Sequence, residues 1–327
     1  MYILAVDGGG SAAKAVVFHG EGTALGWGYG GACNFSVDRK TAAASIEEAG
    51  SKALSMAGLR WDQVVRTGVG LSGAGRPHEQ RWMEDALSRR TTAVVDHDGM
   101  AALLGGLAGE PGAAVISGTG SIAIGRDREG QTARAGGWGY ILGDEGSSFA
   151  IAVEAVARAL KGRDGRLPRD PQLEQAIVQR YRLSSLMDVI AFVYKSPLDR
   201  GKIAVLAQDV SQLALSGHKE AQRILSAAGV QLGQLVNAVL SELALLEQPC
   251  RAVYCGGTFQ AGPPLLDSLQ KTVEQRAHRC CVGPPKLPPV AGAFFIARPD
   301  LQEDSAVVKQ LQRSLRGTPF AGREVTV

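Results

Sequence analysis

The sequence predicts a duplicated α/β architecture, and three observations predict it. An N-terminal stretch reads as strand, glycine turn, strand, turn, strand. A second stretch, beginning at Ala113, repeats that layout. Elsewhere short apolar strands run into helical patterns, as where "TAVV" precedes "MAALLGGL".

The first stretch is "LAVDGGGSAAKAVVFHGEG", Leu4 to Gly22. It lacks the GxxxxGK[ST] string of a P-loop. Gly8-x-Gly10-x-x-Ala13 passes as a dinucleotide fingerprint, but such a loop must open a helix whose N-terminus receives the pyrophosphate. Here the chain runs only from Ala12 to Phe18 before breaking at Gly20–Gly22, too short for a crossover helix. "AVVF" is β-branched and aromatic in the manner of a strand, and "TALGWG" follows at once. The segment is therefore an antiparallel meander whose first turn offers backbone N–H groups to an anion. "AAVISGTGSIAIGRDREGQTARAGGWG", Ala113 to Gly139, has the same order. Thr119-Gly120-Ser121 answers Gly9-Gly10-Ser11, and Gly137-Trp138-Gly139 answers Gly26-Trp27-Gly28. Two related halves, each opening on a hairpin, follow from that repeat, and a nucleotide caught between them would have its phosphates held from both sides.

Composition narrows the function classes. A net charge of +3 without a dense Lys/Arg block gives no support to nucleic-acid or membrane attraction. The 42 glycines, clustered at 8–10, 28–31, 105–106, 118–120, 136–139 and 256–257, suggest close backbone turns around a ligand. No run of 18 apolar residues predicts a membrane span, and a basic leader is lacking. Five cysteines without CxxC spacing read as reduced, largely buried thiols, which suits a cytoplasmic enzyme. Residues 147–247 read as mostly helical. Within them Ile224, Leu225, Ala228, Leu232, Leu235, Val236, Val239, Leu240 and Leu243 keep helical periodicity, so a long packed helix is expected.

Four stretches together resemble the actin-like ATPase superfamily of sugar kinases and Hsp70-type proteins. "DGGGSAAK" is similar to its first phosphate loop, "ISGTGS" to its second, "VYCGGTF" to its adenosine motif, and "VVDHDGMAALLGG" to the segment carrying its catalytic Asp. A fifth, "GGWGYILGDEGSSFAI", resembles N-acetylglucosamine kinases and their relatives, which include glucosamine kinases and the ATPases that activate 2-hydroxyacyl-CoA dehydratases. The resemblance covers residues 1 to about Arg298 and leaves Pro299–Val327 unmatched. It implies duplicated actin-like (ribonuclease H-like) ATPase domains, residues 1–112 and 113–288, with a cleft between them. Helix 289–298 would pack back on the first half, with 299–327 as a tail. It also implies ATP, Mg²⁺ and a small sugar acceptor, with a homodimer as the expected assembly. The implied reaction phosphorylates the 6-hydroxyl of N-acetylglucosamine, with glucosamine or N-acetylmuramic acid as alternative acceptors.

The same resemblance assigns roles residue by residue. Gly8, Gly9, Gly10 and Ser11, with Gly118, Thr119 and Gly120, would cradle phosphates through backbone N–H groups. Gly256, Gly257 and Thr258 would meet the adenosine. Asp7 would be the Mg²⁺ partner through waters, or simply a turn residue accepting its own backbone N–H groups. Lys14 would neutralise phosphate charge or lie on a solvated strand face. Asp98, at the carboxyl end of a strand, would be the general base and contact the sugar, or cap the following helix. Asn34, Asp144, Gly137 and Trp138 match sugar ligands. The other readings are a loop residue for Asn34 and a core aromatic for Trp138. Thr119 and Ser121 would face the phosphate or the sugar. Relatives often carry Asn where this chain has His97. Two other classes fit less well. A dehydratase activator needs cysteines for an iron–sulfur cluster, and none lies between residues 100 and 170. A sugar-responsive regulator needs a helix-turn-helix ahead of the first strand, where this sequence opens directly on that strand.

Overall fold

Ile3, Leu4, Ala5 and Val6 are all fully buried, so β1 (Tyr2–Gly8) is covered on both faces, as a central strand flanked by helices must be. The computed structural model describes residues 1–195 and 197–320. β1 pairs antiparallel with β2 (Ala13–His19), which pairs antiparallel with β3 (Ala24–Gly30). The turn after Gly8 thus re-enters a strand, not a helix. On its other side β1 runs parallel to β4 (Val64–Leu71), which runs parallel to β5 (Ala93–His97). α1 (Arg39–Met56), α2 (Pro77–Leu87) and α3 (Asp98–Leu107) make the connections. Because β1, β4 and β5 are parallel, the loops after Gly8, Leu71 and His97 leave one edge of the sheet.

The second sheet comprises β6 (Gly112–Ser117), β7 (Ser121–Arg126), β8 (Thr132–Gly136), β9 (Cys250–Cys255) and β10 (Cys280–Gly283). Its order, β10-β9-β6-β7-β8, is that of the first sheet, β3-β2-β1-β4-β5, with each strand in its corresponding place. The duplicated α/β fold is thus a matter of topology as well as motif. Between β8 and β9 lie α4 (Ser148–Arg163), α5 (Pro171–Tyr181), α6 (Val189–Val193), α7 (Arg200–Ala204), α8 (Leu206–Leu215) and α9 (Lys219–Glu242). α10 (Pro263–Glu274) joins β9 to β10. By length and composition α9 passes for a membrane span, but 56% of its most apolar window is buried. It is a core helix of this unit.

The chain divides into two units. One holds Met1–Ala114 and the described residues from Pro284 onward; the other holds Val115–Gly283. In the first unit the glycines do something other than surround a ligand. A Cβ on Gly26, Gly28 or Gly30 would lie 2.4, 2.3 or 2.0 Å from carbonyl oxygens of α1. α11 (Pro289–Ala297) uses the same device. A Cβ on Gly68 of β4 would lie 2.0 Å from Ala293 O, and one on Gly292 would lie 1.7 Å from Ala101 O of α3. The clusters at 28–31 and 105–106 therefore serve backbone-to-backbone packing of helices, correcting the expectation that they form ligand turns.

Alternate residues of β1 and β2 feed two cores. Leu4, Val6, Ala15 and Val17 face α1, whereas Ile3, Ala5, Val16 and Phe18 face α3 and α11. The segment after Arg298, unmatched by any motif, joins the second of these cores. α12 (Ser305–Leu315) buries Val307, Leu311 and Leu315 there, and Phe320 follows. Residues 321–327 of the expected tail lie outside the described residues. Cys33, Cys250 and Cys280 are buried and Cys255 partly so, in keeping with largely buried thiols, while Cys281 is exposed.

If α12 is a structural element of the first unit, Leu311→Ala removes a fully buried side chain and costs about 2–5 kcal/mol. Urea unfolding of this variant should show the loss as a lowered midpoint.

Candidate functional site

Asp7 is the penultimate residue of β1, its register partner on β4 is Gly70, and Gly70 in turn pairs with Asp96 on β5. Asp98 follows two residues later. The parallel register thus brings Asp7 and Asp98 to the same sheet edge. Gly70 makes this possible. A Cβ there would stand 2.4 Å from Ala101 Cβ and 3.6 Å from Asp98 Cα, so any side chain would push α3 away from the sheet.

The Asp7 carboxylate is buried, and Lys14 Nζ donates to its Oδ2 at 3.2 Å from across the hairpin. Desolvation raises the Asp7 pKa, Lys14 pulls it down, and the charge of Asp98 pushes it up; the net shift is upward. Lys14 keeps its ammonium half-exposed. The turn between them is tied by Gly9 N–H donating to Ala12 O at 3.0 Å and Cys33 N–H donating to Gly9 O at 3.0 Å. Above it Gly10 is open, with nothing within 4 Å of a built Cβ. An anion can approach the backbone there.

Asp98 occupies the first position of α3, and the helix cap is His97, whose Nδ1 accepts from Met100 N–H at 3.0 Å. The alternative that Asp98 caps the helix is therefore corrected by one residue. An Asn at 97 could cap in the same way, which explains why His is tolerated there. The Asp98 Oδ1 accepts from Gly99 N–H at 2.9 Å. Asn34 bridges to Ser72 beside β4, while its Oδ1 accepts from Ser36 N–H at 3.0 Å. Its side chain shapes a turn, as the loop reading has it.

In the second unit the corresponding turn, Gly118-Thr119-Gly120, opens on a cavity of about 370 Å³. Gly118, Thr119, Gly257 and Thr258 line it together, facing Gln208 and Gln212 of α8. That volume suits a small ligand. Gly256 lies behind the wall, with φ +113°, and a Cβ on it would fall 2.2 Å from Ser117 O. Thr258 is buried and shares a hydrogen bond with Ser148 at 2.8 Å between hydroxyl oxygens. The two glutamines lie in no motif, and Ser148, though within "GGWGYILGDEGSSFAI", was given no role, so sequence reasoning missed all three.

Asp144 is buried, 5% exposed, and takes a left-handed φ of 62°. Its Oδ1 accepts from Ser121 N–H at 3.1 Å, and its Oδ2 lies 3.6 Å from Arg200 Nη1. The carboxylate also fills the space beside Gly120, where a Cβ would come within 2.9 Å of it. Ser121 donates its hydroxyl to Glu145 O at 2.7 Å, which ties the two loops together. Trp138 is 66% exposed, beneath the guanidinium of Arg134 at 5.0 Å. This corrects the reading of Trp138 as a core aromatic. Gly137, at φ +70°, turns the chain out of β8 toward it.

Residues 4–297 match the family described as the BadF/BadG/BcrA/BcrD ATPase family. The N-acetylmuramic acid/N-acetylglucosamine kinase of Clostridium acetobutylicum is 31% identical over 301 residues, 91% of this chain and 98% of that protein. The N-acetyl-D-glucosamine kinase of Dictyostelium discoideum is 29% identical over 236 residues, 70% and 74% of the two chains. A solved structure from Chromobacterium violaceum, assigned provisionally as an N-acetylglucosamine kinase, aligns with TM-score 0.71 at 28% identity, over 90% of this chain and 98% of that one. A glucokinase of the ROK family from Streptomyces griseus shares the fold at TM-score 0.56 and 16% identity, over 91% of this chain and all of that one.

The upward shift at Asp7 has a thermodynamic consequence. A carboxyl with a raised native pKa stabilises the fold below its unfolded value, about 3.9, and that contribution is lost as pH rises through the native value. Asp7→Asn should therefore raise the melting temperature at mildly alkaline pH, the gain vanishing near the ordinary aspartate pKa. A calorimetric series across pH checks both the sign and the convergence; a lowered melting temperature at every pH overturns the argument.

Proposed function

The chain belongs to the BadF/BadG/BcrA/BcrD ATPase family, and on that footing we propose that it is an ATP-dependent sugar kinase that phosphorylates the 6-hydroxyl of N-acetylglucosamine. The observation that carries the reading is the meeting of Asp7, Lys14 and Asp98 at the sheet edge where the open turn at Gly10 emerges. Similarity over nearly the whole length of the Clostridium acetobutylicum kinase supports the sugar as acceptor.

Phosphoryl transfer asks for positioning and charge neutralisation more than covalent work. Asp98 would take the proton of the 6-hydroxyl as that oxygen attacks the γ-phosphate. The turns at Gly10 and Gly118 would give backbone N–H groups to phosphate oxygens, and Lys14 its positive charge. The cavity lined by Thr119, Gly257 and Thr258 would hold the nucleoside. Asp7 fits Mg²⁺: it is a hard carboxylate donor, and with Asp98 beside it a single Lys14 leaves negative charge uncompensated. Magnesium retains waters and needs few protein ligands; bound there, it would neutralise phosphate charge. Asn34 and Asp144 would bind sugar hydroxyls, with Trp138 flanking them.

Cys33 and Cys255 are poor candidates for the iron–sulfur ligation of dehydratase activators. Burial pushes the Cys33 and Cys255 thiols up to about 12, opposite to what thiolate ligation requires.

Asp98→Asn should lower kcat by roughly 10²–10⁴, the usual share of a positioned base, while nucleotide affinity persists. A coupled assay with N-acetylglucosamine, glucosamine, N-acetylmuramic acid and glucose measures this and ranks the acceptors. Full activity of the variant removes Asp98 from the mechanism, and turnover of none of these sugars by the wild type removes the kinase reading.

A further inference from the structure

Arg200 stands out in the second unit. Its guanidinium carbon lies 5.2 Å from the centre of the Tyr140 ring, and its Nη1 lies 3.6 Å from Asp144 Oδ2, beyond hydrogen-bond distance. Tyr140 is itself held edge-on by Phe149 at 5.6 Å. Arg134, the other stacked arginine of this region, differs. Its Nη2 already donates to Gly137 O at 3.0 Å, so its fork is committed to the loop. The Arg200 side chain is 43% exposed, and most of its five donors have no role in holding the fold.

We propose that Arg200 makes the Asp144 site selective for amino sugars carrying a carboxylate substituent, the guanidinium binding that carboxylate while Asp144 binds neighbouring hydroxyls. The proposal rests on the reading of Asp144 as a sugar ligand. A guanidinium offers parallel N–H donors at the spacing of carboxylate oxygens, and stacking on an aromatic ring fixes its plane without using those donors. Tyr140 supplies the ring. Beside Arg200, Asp144 accommodates a singly charged partner more readily than a polyphosphate, whose several charges would all face that carboxylate. A singly charged carboxylate on an otherwise neutral pyranose adds one negative charge beside Asp144, and the Arg200 guanidinium has separate N–H donors for the two carboxylates. The aromatic faces of Tyr140 and Trp138, both exposed, suit the apolar face of a pyranose and have no counterpart in phosphate recognition.

The test compares two probes that differ in charge alone, N-acetylmuramic acid and its methyl ester. Binding to the wild type, Arg200→Gln and Arg200→Lys is measured by titration calorimetry. The wild type should prefer the acid. A charge-assisted hydrogen bond contributes about 1.5–3 kcal/mol, so Arg200→Gln should reduce the acid-to-ester preference by roughly tenfold or more, and Arg200→Lys should retain part of it. An unchanged preference in Arg200→Gln overturns the proposal, as does a wild type that binds both probes alike. So does a variant whose affinity for ATP falls while the acid is still preferred, since the guanidinium would then be reading phosphate. Parallel turnover with N-acetylglucosamine separates the two ideas: activity on this neutral sugar without an acid preference leaves the kinase reading standing and removes only the role of Arg200.

Discussion

The distance at which α3 and α11 lie against the first sheet governs the chemistry of that unit. Gly68 on β4 and Gly292 on α11 let backbone meet backbone where a Cβ would collide at 2.0 and 1.7 Å, and Gly70 on β4 leaves room for Ala101 Cβ, which would stand 2.4 Å from a Cβ there. Interiors are packed densely enough that such collisions cannot be absorbed locally. An alanine at Gly70 would displace the first turn of α3, and Asp98 is in that turn. The relation of Asp98 to Asp7 therefore follows from missing side chains on the neighbouring strand. Gly105 works toward the same end, since a Cβ there would stand 2.7 Å from Pro288 O. These inner glycines set distances, whereas Gly10, Gly118 and Gly257 have open space beside them.

Charge is the second constraint, and it opposes stability. Asp7 is desolvated and next to another carboxylate, with the half-exposed Lys14 ammonium as its counterweight across the hairpin. A hydrophobic residue at the end of β1 would pack without this penalty. An acidic group kept at such a cost is the pattern expected where a cation or a phosphate-bound ion completes the site. The second unit repeats the pattern in another form, with Asp144 buried but tied to a backbone N–H and faced by an arginine.

Much of this was legible in the sequence because it is written in short-range signals. The break at Gly20–Gly22 and the β-branched run before it ruled out a helix after the first turn, and β2 forms there. The repeat beginning at Ala113 announced a second sheet, and its strand order matches the first. The periodic apolar residues of α9 form its buried stripe. Other features depend on partners distant in the chain. Gly28 faces α1 and Gly68 faces α11, contacts that no local pattern encodes. Size left a core position open as the alternative for Trp138, yet its loop carries it outward under Arg134. The bond from the Ser121 hydroxyl to Glu145 O joins residues 24 apart, a contact the motif does not announce. α12 does carry an amphipathic pattern, with Val307, Leu311 and Leu315 four residues apart, but attention to motifs passed over a segment that has none.

Asp144 shows why a motif residue can be required even where its backbone is strained. A left-handed φ in a residue other than glycine costs on the order of 1–2 kcal/mol, and Asp and Asn bear it best because a short polar side chain can bond locally. Glycine would remove the strain at no steric cost, and the chain uses glycine freely on both sides, at Gly143 and Gly146. Retaining Asp keeps a carboxylate where Ser121 N–H can hold one oxygen while the other faces Arg200. The left-handed turn aims that carboxylate back under the Gly118–Gly120 loop, and the absence of a side chain on Gly120 leaves room for it. The strain is thus confined to one residue, and the hydrogen bond it permits locks the loop carrying Asp144 to the Gly118–Gly120 turn within a single unit.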